Sequence, residues 1–393
     1  MTDCITRIRT YQYRLYPTRS QVAVLNEILE VARQFYNYAL QYRRERWQES
    51  RYPVTYHEQA AMWRDWRNET PDENPLRLLN MSAGQQLLRR LDKAYQAFFR
   101  RVKAGETPGQ PRFKGKNRFH ALEFRHGDGC KLKIGERTLF YVQNVGDIKV
   151  KFHRPLPEGA ILGHIVLSRS CRKWYVCLQI EFQQAVPPPL TGEPVGIDVG
   201  LLSLLALSKG ATIDNPRWLR QTQAKVRVAQ RRLSRRKRGS HRRRKAAFQV
   251  ARLHEKVANQ RDDFWHKETR KLASTYSLIA IEDLTLGFLT QNGQLALSAH
   301  DAALGTFRQM LGYKVAETGS QLVPVNPQYT SQVCSSCGAF VPKELSVRVH
   351  SCPYCGLTID RDVNAARNIL KFALTRLGLS SQDRTWPVGA CVS

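Results

Sequence analysis

Between Thr10 and Tyr16 the chain reads TYQYRLY, polar and aromatic residues in alternation, and Pro17 ends the run, which predicts a short strand. The period then changes. In SQVAVLNEILEVARQFYNYALQYRRERW apolar residues recur three and four apart, the spacing of one helix face, with Ser20 placed to cap the start. Helical patterning continues, interrupted at Pro53, Pro71 and Pro75, to about Val102, and GETPGQPRFKGKNRF follows as a Gly, Pro and Lys loop. From Leu122 to about Gln183 the pattern is strand-like again, as in TLFYVQNVGDIKVKF and KWYVCLQIEF. A strand, a helical insertion and several strands predict a β-barrel-like unit interrupted by helices.

Residues 185–194, AVPPPLTGEP, hold three consecutive prolines that exclude helix and central strand, so a domain boundary falls there. Directly after it comes GIDVGLLSLLALSKG. Val195, Ile197 and Val199 alternate before Gly200, then a second apolar run and a Lys-Gly turn complete a hairpin. Asp198 lies inside this apolar run, where an ionised carboxylate needs a hydrogen-bonding network or a cation. A helix is expected over the basic segment from residue 225, broken near Gly239 and continuing to about Ser274, with Val250, Leu253, Val257, Phe264 and Leu272 near one face. YSLIAIEDL predicts a buried strand ending at Glu282, residues 301–318 a helix, and SQLVPVNP a short strand. In LTIDRDVNAARNIL, Ala365, Ala366, Ile369, Leu370 and Ala373 have helical spacing from about Val363, and Asp360 or Asp362 sits near the start. Positions two apart on a helix differ by about 200°, so one of these acids can serve a site while the other caps the helix.

Charge adds a partner to this outline. With 62 Lys and Arg against 33 Asp and Glu, the 393-residue chain carries +29, while its 42% apolar content is ordinary for a globular protein. Such an excess implies a polyanion, most economically nucleic acid. It is densest in KVRVAQRRLSRRKRGSHRRRK, which has twelve cations and no acid: Lys225, Arg227, Arg231, Arg232, Arg235, Arg236, Lys237, Arg238, Arg242, Arg243, Arg244 and Lys245. These are the expected nucleic-acid contacts, because self-repulsion would otherwise go unrelieved. No apolar run approaches the roughly 20 residues of a spanning helix, and the start of the chain has no signal-peptide core, so a cytoplasmic, nucleoid-associated protein is expected.

Nine cysteines fall into two populations. Cys4, Cys130, Cys171, Cys177 and Cys391 are scattered and read as small buried or incidental thiols. The other four form CSSCG and CPYCG, with Cys334, Cys337, Cys352 and Cys355 as a tetrahedral zinc set and a glycine after each pair that can take positive φ. Four thiolates leave no open position, so the zinc is expected to be structural, with His350 a surface residue outside the set.

Asp198 on a first strand, Glu282 at a later strand end and an Asp at a late helix start follow the order of acids in RNase H-like nucleases. Their carboxylates hold two Mg²⁺ ions, since Mg²⁺ takes hard oxygen ligands. The motifs GIDVGLLSLLALS, IAIEDL, QYTSQVCSSCG, CPYCG and DRDVNAARNIL, with the early YQYRLYPTRSQ and GQPRFKGK, resemble the TnpB proteins of bacterial insertion sequences, relatives of type V CRISPR effectors. The resemblance covers nearly the whole chain. It implies an RNA-guided DNA endonuclease of α+β multidomain fold, cutting next to a short flanking motif, with guide RNA from its own locus and target double-stranded DNA as partners. The implied organisation is a wedge-like β-barrel over 1–185 with a helical recognition insertion at about 18–105, and a linker at 186–194. A RuvC-like (RNase H-like) α/β nuclease follows at 195–330 and 359–375, split by a zinc ribbon at 331–358, with a tail at 376–393. By motif position the catalytic, Mg²⁺-binding residues become Asp198, Glu282 and Asp362, leaving Asp360 and Asp283 without metal duty. Phe35–Trp47 and Pro111–Arg118 are candidates for contacting the flanking motif or the DNA backbone. A nuclease-dead RNA-guided regulator and a DNA-strand transferase are the competing readings.

Overall fold

The computed structural model describes residues 4–379 except 117, 285, 286, 288–292, 294 and 345. The chain divides into two compact units, Met1–Ala185 and Val186–Ser393.

In the first unit, β1 (Cys4–Tyr16) starts earlier than its aromatic alternation suggests, because it is paired with β7 (Lys173–Ala185) from Cys4 opposite Ala185 to Leu15 opposite Trp174. Helix α1 (Arg19–Ser50) is capped by Thr18, not Ser20: Thr18 Oγ1 accepts from Gln21 N and the Gln21 side chain accepts from Thr18 N, a reciprocal capping box. Helices α2 (Tyr56–Glu69) and α3 (Met81–Lys103) follow, separated by a 3-10 turn at Pro75–Leu78. Then come β2 (Ala121–Arg125), β3 (Cys130–Lys133), β4 (Leu139–Val142), β5 (Gly146–Lys151), β6 (Ile161–Ser170) and β7. The sheet order is β2-β6-β7-β1-β5-β4-β3. Its outermost strands, β2 and β3, are joined by only residues 126–129, where Asp128 N donates to Arg125 O and Gly127 N to Cys130 O. So short a link is possible only if the sheet curls until its edges meet, giving the nearly closed sheet expected. Tyr13, Phe140, Trp174 and Leu178 fill its interior and share a core with Leu25, Phe35 and Leu88 of the helices.

The second unit is built on a five-stranded sheet, β8 (Val195–Val199), β9 (Ser203–Leu207), β10 (Thr212–Asp214), β11 (Leu278–Glu282) and β12 (Gln321–Val325), in the order β10-β9-β8-β11-β12. Strands β8, β11 and β12 are parallel, and β8 and β9 form the antiparallel hairpin. Alternation along β11 sends Ile279 and Ile281 to a core with Trp265, Phe307 and Leu311, while Leu278 and Ala280 face Ile369 and Ala373.

The first of these faces is covered by α4 (Trp218–Ser234), α5 (His241–Thr275), α6 (Ala296–Ala302) and α7 (Leu304–Thr318). On α5, Val257 and Leu272 are buried as expected, but Val250, Leu253 and Phe264 are only half-buried. Trp265 is the ring that reaches the core, its Nε1 donating to Ala302 O at 2.9 Å. The helix expected over 301–318 is broken at Ala303, whose φ of 53° is left-handed. The opposite face is covered by α8 (Arg361–Arg376), entered from the hairpin β13 (Val349–Ser351) and β14 (Thr358–Asp360). Gly196 makes this packing possible: a Cβ there would stand 2.0 Å from Ala366 O, so only glycine lets α8 lie on β8. The proline segment is tied down in this unit, with Leu190 N donating to Gly319 O and Ser277 Oγ to Gly192 O. The tail, from residue 380 on and with Cys391, lies outside the described residues.

Candidate active site and metal centre

Strand register brings the first two acids together. Ile281 pairs with Ile197 across parallel β11 and β8, so the following residues, Glu282 and Asp198, stand side by side at the carboxyl ends of adjacent strands. Both share the face of Gly196 and Ala280, the one covered by α8. The first turn of α8 adds Asp362, and all three line one cleft of about 700 Å³. Asp360 caps that helix, its Oδ1 accepting from Asp362 N (2.9 Å) and Val363 N (3.1 Å). Asp283 is exposed and paired with Arg308 at 2.7 Å.

Burial, then Glu282 and Asp362, push the Asp198 carboxyl up to about 8. Glu282 is raised by burial and held by Thr330, whose Oγ1 donates at 2.5 Å. Asp362 is raised by burial and Asp360, against the opposing pull of Arg348, 3.7 Å away, and Arg361. Three hard oxygen donors whose charges oppose one another suit a divalent cation such as Mg²⁺ far better than they suit one another.

Four sulfur atoms form a second centre. The ligand atoms of Cys334, Cys337, Cys352 and Cys355 lie within 4.8 Å of one another, with Cys334–Cys355 and Cys337–Cys352 both at 3.6 Å. A tetrahedral site with Zn–S bonds of about 2.3 Å has edges of about 3.8 Å, so the set fits zinc. Each pair forms the same turn: Gly338 N donates to Cys334 O and Gly356 N to Cys352 O, both at 3.0 Å, with glycine φ of 81° and 72°. His350 is a correction. It is fully buried, because its strand turns it into the ribbon, where Nδ1 meets Lys343 Nζ; the four-sulfur set closes without it.

The basic segment forms an α4–α5 hairpin turning at Gly239, φ 83°. Eleven of its twelve cations are exposed; Arg243 is half-buried and closes the turn, donating from Nη1 to Leu233 O (2.8 Å) and Arg236 O (3.0 Å). In the first unit, Phe35–Trp47 and Pro111–Arg118 lie together: Asn37 exchanges two hydrogen bonds with the Lys114 backbone, and Arg44 donates to Pro111 O. Phe35 and Tyr36 are core residues, whereas Tyr38 and Trp47 are exposed.

Sequence reasoning missed Thr330, Arg348, Arg361, Arg217, Arg220 and Asp301, all on the cleft wall. Arg361 is buried, donating to Glu344 O and Val347 O and so pinning the ribbon to the start of α8. Asp301 accepts from Leu219 N, Arg220 N and Arg261 Nη2 and so caps α4 from outside. Its place in a helical run carried no signal, but Arg361 between two acids and Thr330 just before CSSC did.

Three family profiles match the chain: one described as "Probable transposase" over residues 176–293, a Cas12f1-like TNB domain over 305–369, and a helix-turn-helix domain over 5–51, where the structure has β1 and α1. A Streptomyces pristinaespiralis protein with the provisional name RNA-guided DNA endonuclease is 36% identical over 93% of this chain and 89% of its own. InsQ of Escherichia coli K12, provisionally named in the same way, is 30% identical over 93% of this chain and 92% of its own. A solved Cas12f1 complex with guide RNA and target DNA has a similar fold at TM-score 0.54 and 14% identity, over 93% of this chain and 98% of that one. Among the described residues no helix is long and apolar enough to cross a membrane. Identity of this extent along almost the full length, together with the order of acids and cysteines, means that the chain belongs to the TnpB (OrfB of IS605) family.

Proposed function

We propose that this protein is an RNA-guided DNA endonuclease of a transposable element, hydrolysing target DNA next to a short flanking motif. The convergence of Asp198, Glu282 and Asp362 in one cleft carries the reading. In this reading unit 2 is a RuvC-like nuclease split by a zinc ribbon, and the three carboxylates would hold two Mg²⁺ ions. Bound metal supplies activation of the attacking water and stabilisation of the leaving oxygen. The chain's own contributions are to hold the acids in register through β8 and β11, to orient Glu282 through Thr330, and to place Arg348 and Arg361 where a phosphodiester would lie. Cys334, Cys337, Cys352 and Cys355 would bind one structural zinc. The exposed cations of the α4–α5 hairpin bind RNA, and the guide reads the target while protein side chains read only the flanking motif. The site of action is the bacterial cytoplasm, at the nucleoid.

The test is to purify the protein, sequence the RNA that accompanies it, and offer Mg²⁺ with DNA complementary to the RNA's variable end. Changing that end should redirect the cut, and Asp198→Ala should abolish cutting while target binding persists. Equal cutting after RNase treatment would replace guidance by a plain RNase H-like nuclease. Target binding without cutting by the parent would leave the regulator, and strand joining instead of hydrolysis the transferase.

A further inference from the structure

Tyr329 combines three properties that folding alone does not require. Its backbone is left-handed, φ 63°, a conformation that a bulky side chain adopts only at a cost. The kink starts the turn into the first cysteine pair, since Tyr329 O accepts from Gln332 N (3.0 Å) and Val333 N (2.9 Å). Glycine or asparagine would serve this turn better. Yet the residue is tyrosine, 55% exposed, meeting Phe340, 49% exposed, edge to face with ring centroids 5.5 Å apart. Its chain neighbours Pro327, Thr330 and Ser331 line the acidic cleft, so the Tyr329 backbone is part of the segment that forms the cleft wall, while its ring and that of Phe340 lie outside the lining.

We propose that Tyr329 and Phe340 form a stacking platform for an unpaired base of the DNA strand being cut. Every base has a π-face, so such a contact tolerates any sequence, as a guide-directed enzyme requires. Arg348, half exposed on the cleft wall, supplies complementary charge for the strand's phosphates. This platform rests on the nuclease reading above.

Asp198→Asn protein loaded with its RNA is irradiated with target DNA carrying iododeoxyuridine on either side of the expected cut, and cross-linked peptides are sequenced. The expected adduct is on Tyr329 or Phe340. In cutting assays Tyr329→Phe should match the parent, while Tyr329→Gly, which relieves the backbone, should have its apparent KM raised about tenfold with zinc content and melting temperature unchanged. No adduct within residues 326–341 and parental cutting by Tyr329→Gly overturn the platform while leaving the nuclease intact. No cutting by the parent sinks the nuclease reading and, with it, a platform for a strand being cut, whatever the adduct.

Discussion

Asp360 and Asp362 are two residues apart and chemically identical, yet they should fail in different ways. Asp360 accepts two backbone N–H groups at the start of α8, so Asp360→Ala leaves those donors without their cap and should cost about 1 kcal/mol. For a unit of roughly 200 residues that is a fall of about 2–4 °C in melting temperature. Asp360→Asn keeps an accepting oxygen and should be nearly neutral. Asp362 caps nothing and lines the cleft beside two other acids. Asp362→Asn should leave stability unchanged or slightly raised, since it removes one of three mutually repelling charges. In the proposed function its effect belongs to the chemical step: Asp362 would be a metal ligand there, and losing it would forfeit several kcal/mol of transition-state stabilisation, about a thousandfold in rate or more. Single-turnover cleavage by RNA-loaded protein, with calorimetric melting of the same samples, separates the two effects. Cleavage lost in Asp360→Asn but kept in Asp362→Asn would refute the assignment of cap and ligand.

Three further outcomes are expected. Elemental analysis should find one zinc per chain, and Cys352→Ser should lower yield and melting temperature before it alters cleavage rate, because a closed site supports folding rather than chemistry. Gly196→Ala should cost about 3 kcal/mol or more through collision with the α8 backbone, measured by urea unfolding; a loss under about 0.5 kcal/mol would contradict that contact. Burial, with Arg270 nearby, lowers Lys314 from 10.5 to about 8. From pH 8 to 10.5 the unfolded chain therefore binds the extra proton, and the parent should gain stability relative to Lys314→Met as pH rises through that window. A flat difference in urea midpoints between the two proteins would sink this.

What could be read in advance was local. Asp198 and Glu282 betrayed themselves as charges against short apolar runs, and the cysteines by spacing alone. The alternative of cap or ligand for Asp360 and Asp362 followed from helical geometry, although choosing between them needed the resemblance. The Thr18 cap was also legible, since TRSQ has the reciprocal spacing, but Ser20 stood nearer the apolar run. The burial of His350 and the choice of Trp265 over Phe264 depend on partners such as Lys343 and Ala302, which the fold brings up from elsewhere in the chain. Arg348 and Asp301 belong to the cleft for the same reason: their roles exist only once the ribbon and α4 are assembled.

The order in which the sheet is covered bears on how the protein is made. The ribosome delivers β8 some 164 residues before Asp362 at the head of α8, an interval of roughly 8–30 s at bacterial elongation rates. Asp198 waits through all of it and Glu282 through its later half for their third partner, and the face that Leu278 and Ala280 begin and Val323 and Val325 complete waits, from the synthesis of β12, for Ile369 and Ala373. A nascent chain is thus both adhesive and unable to complete its acid cluster. Termination anywhere before α8 leaves that face uncovered and the acid cluster one carboxylate short.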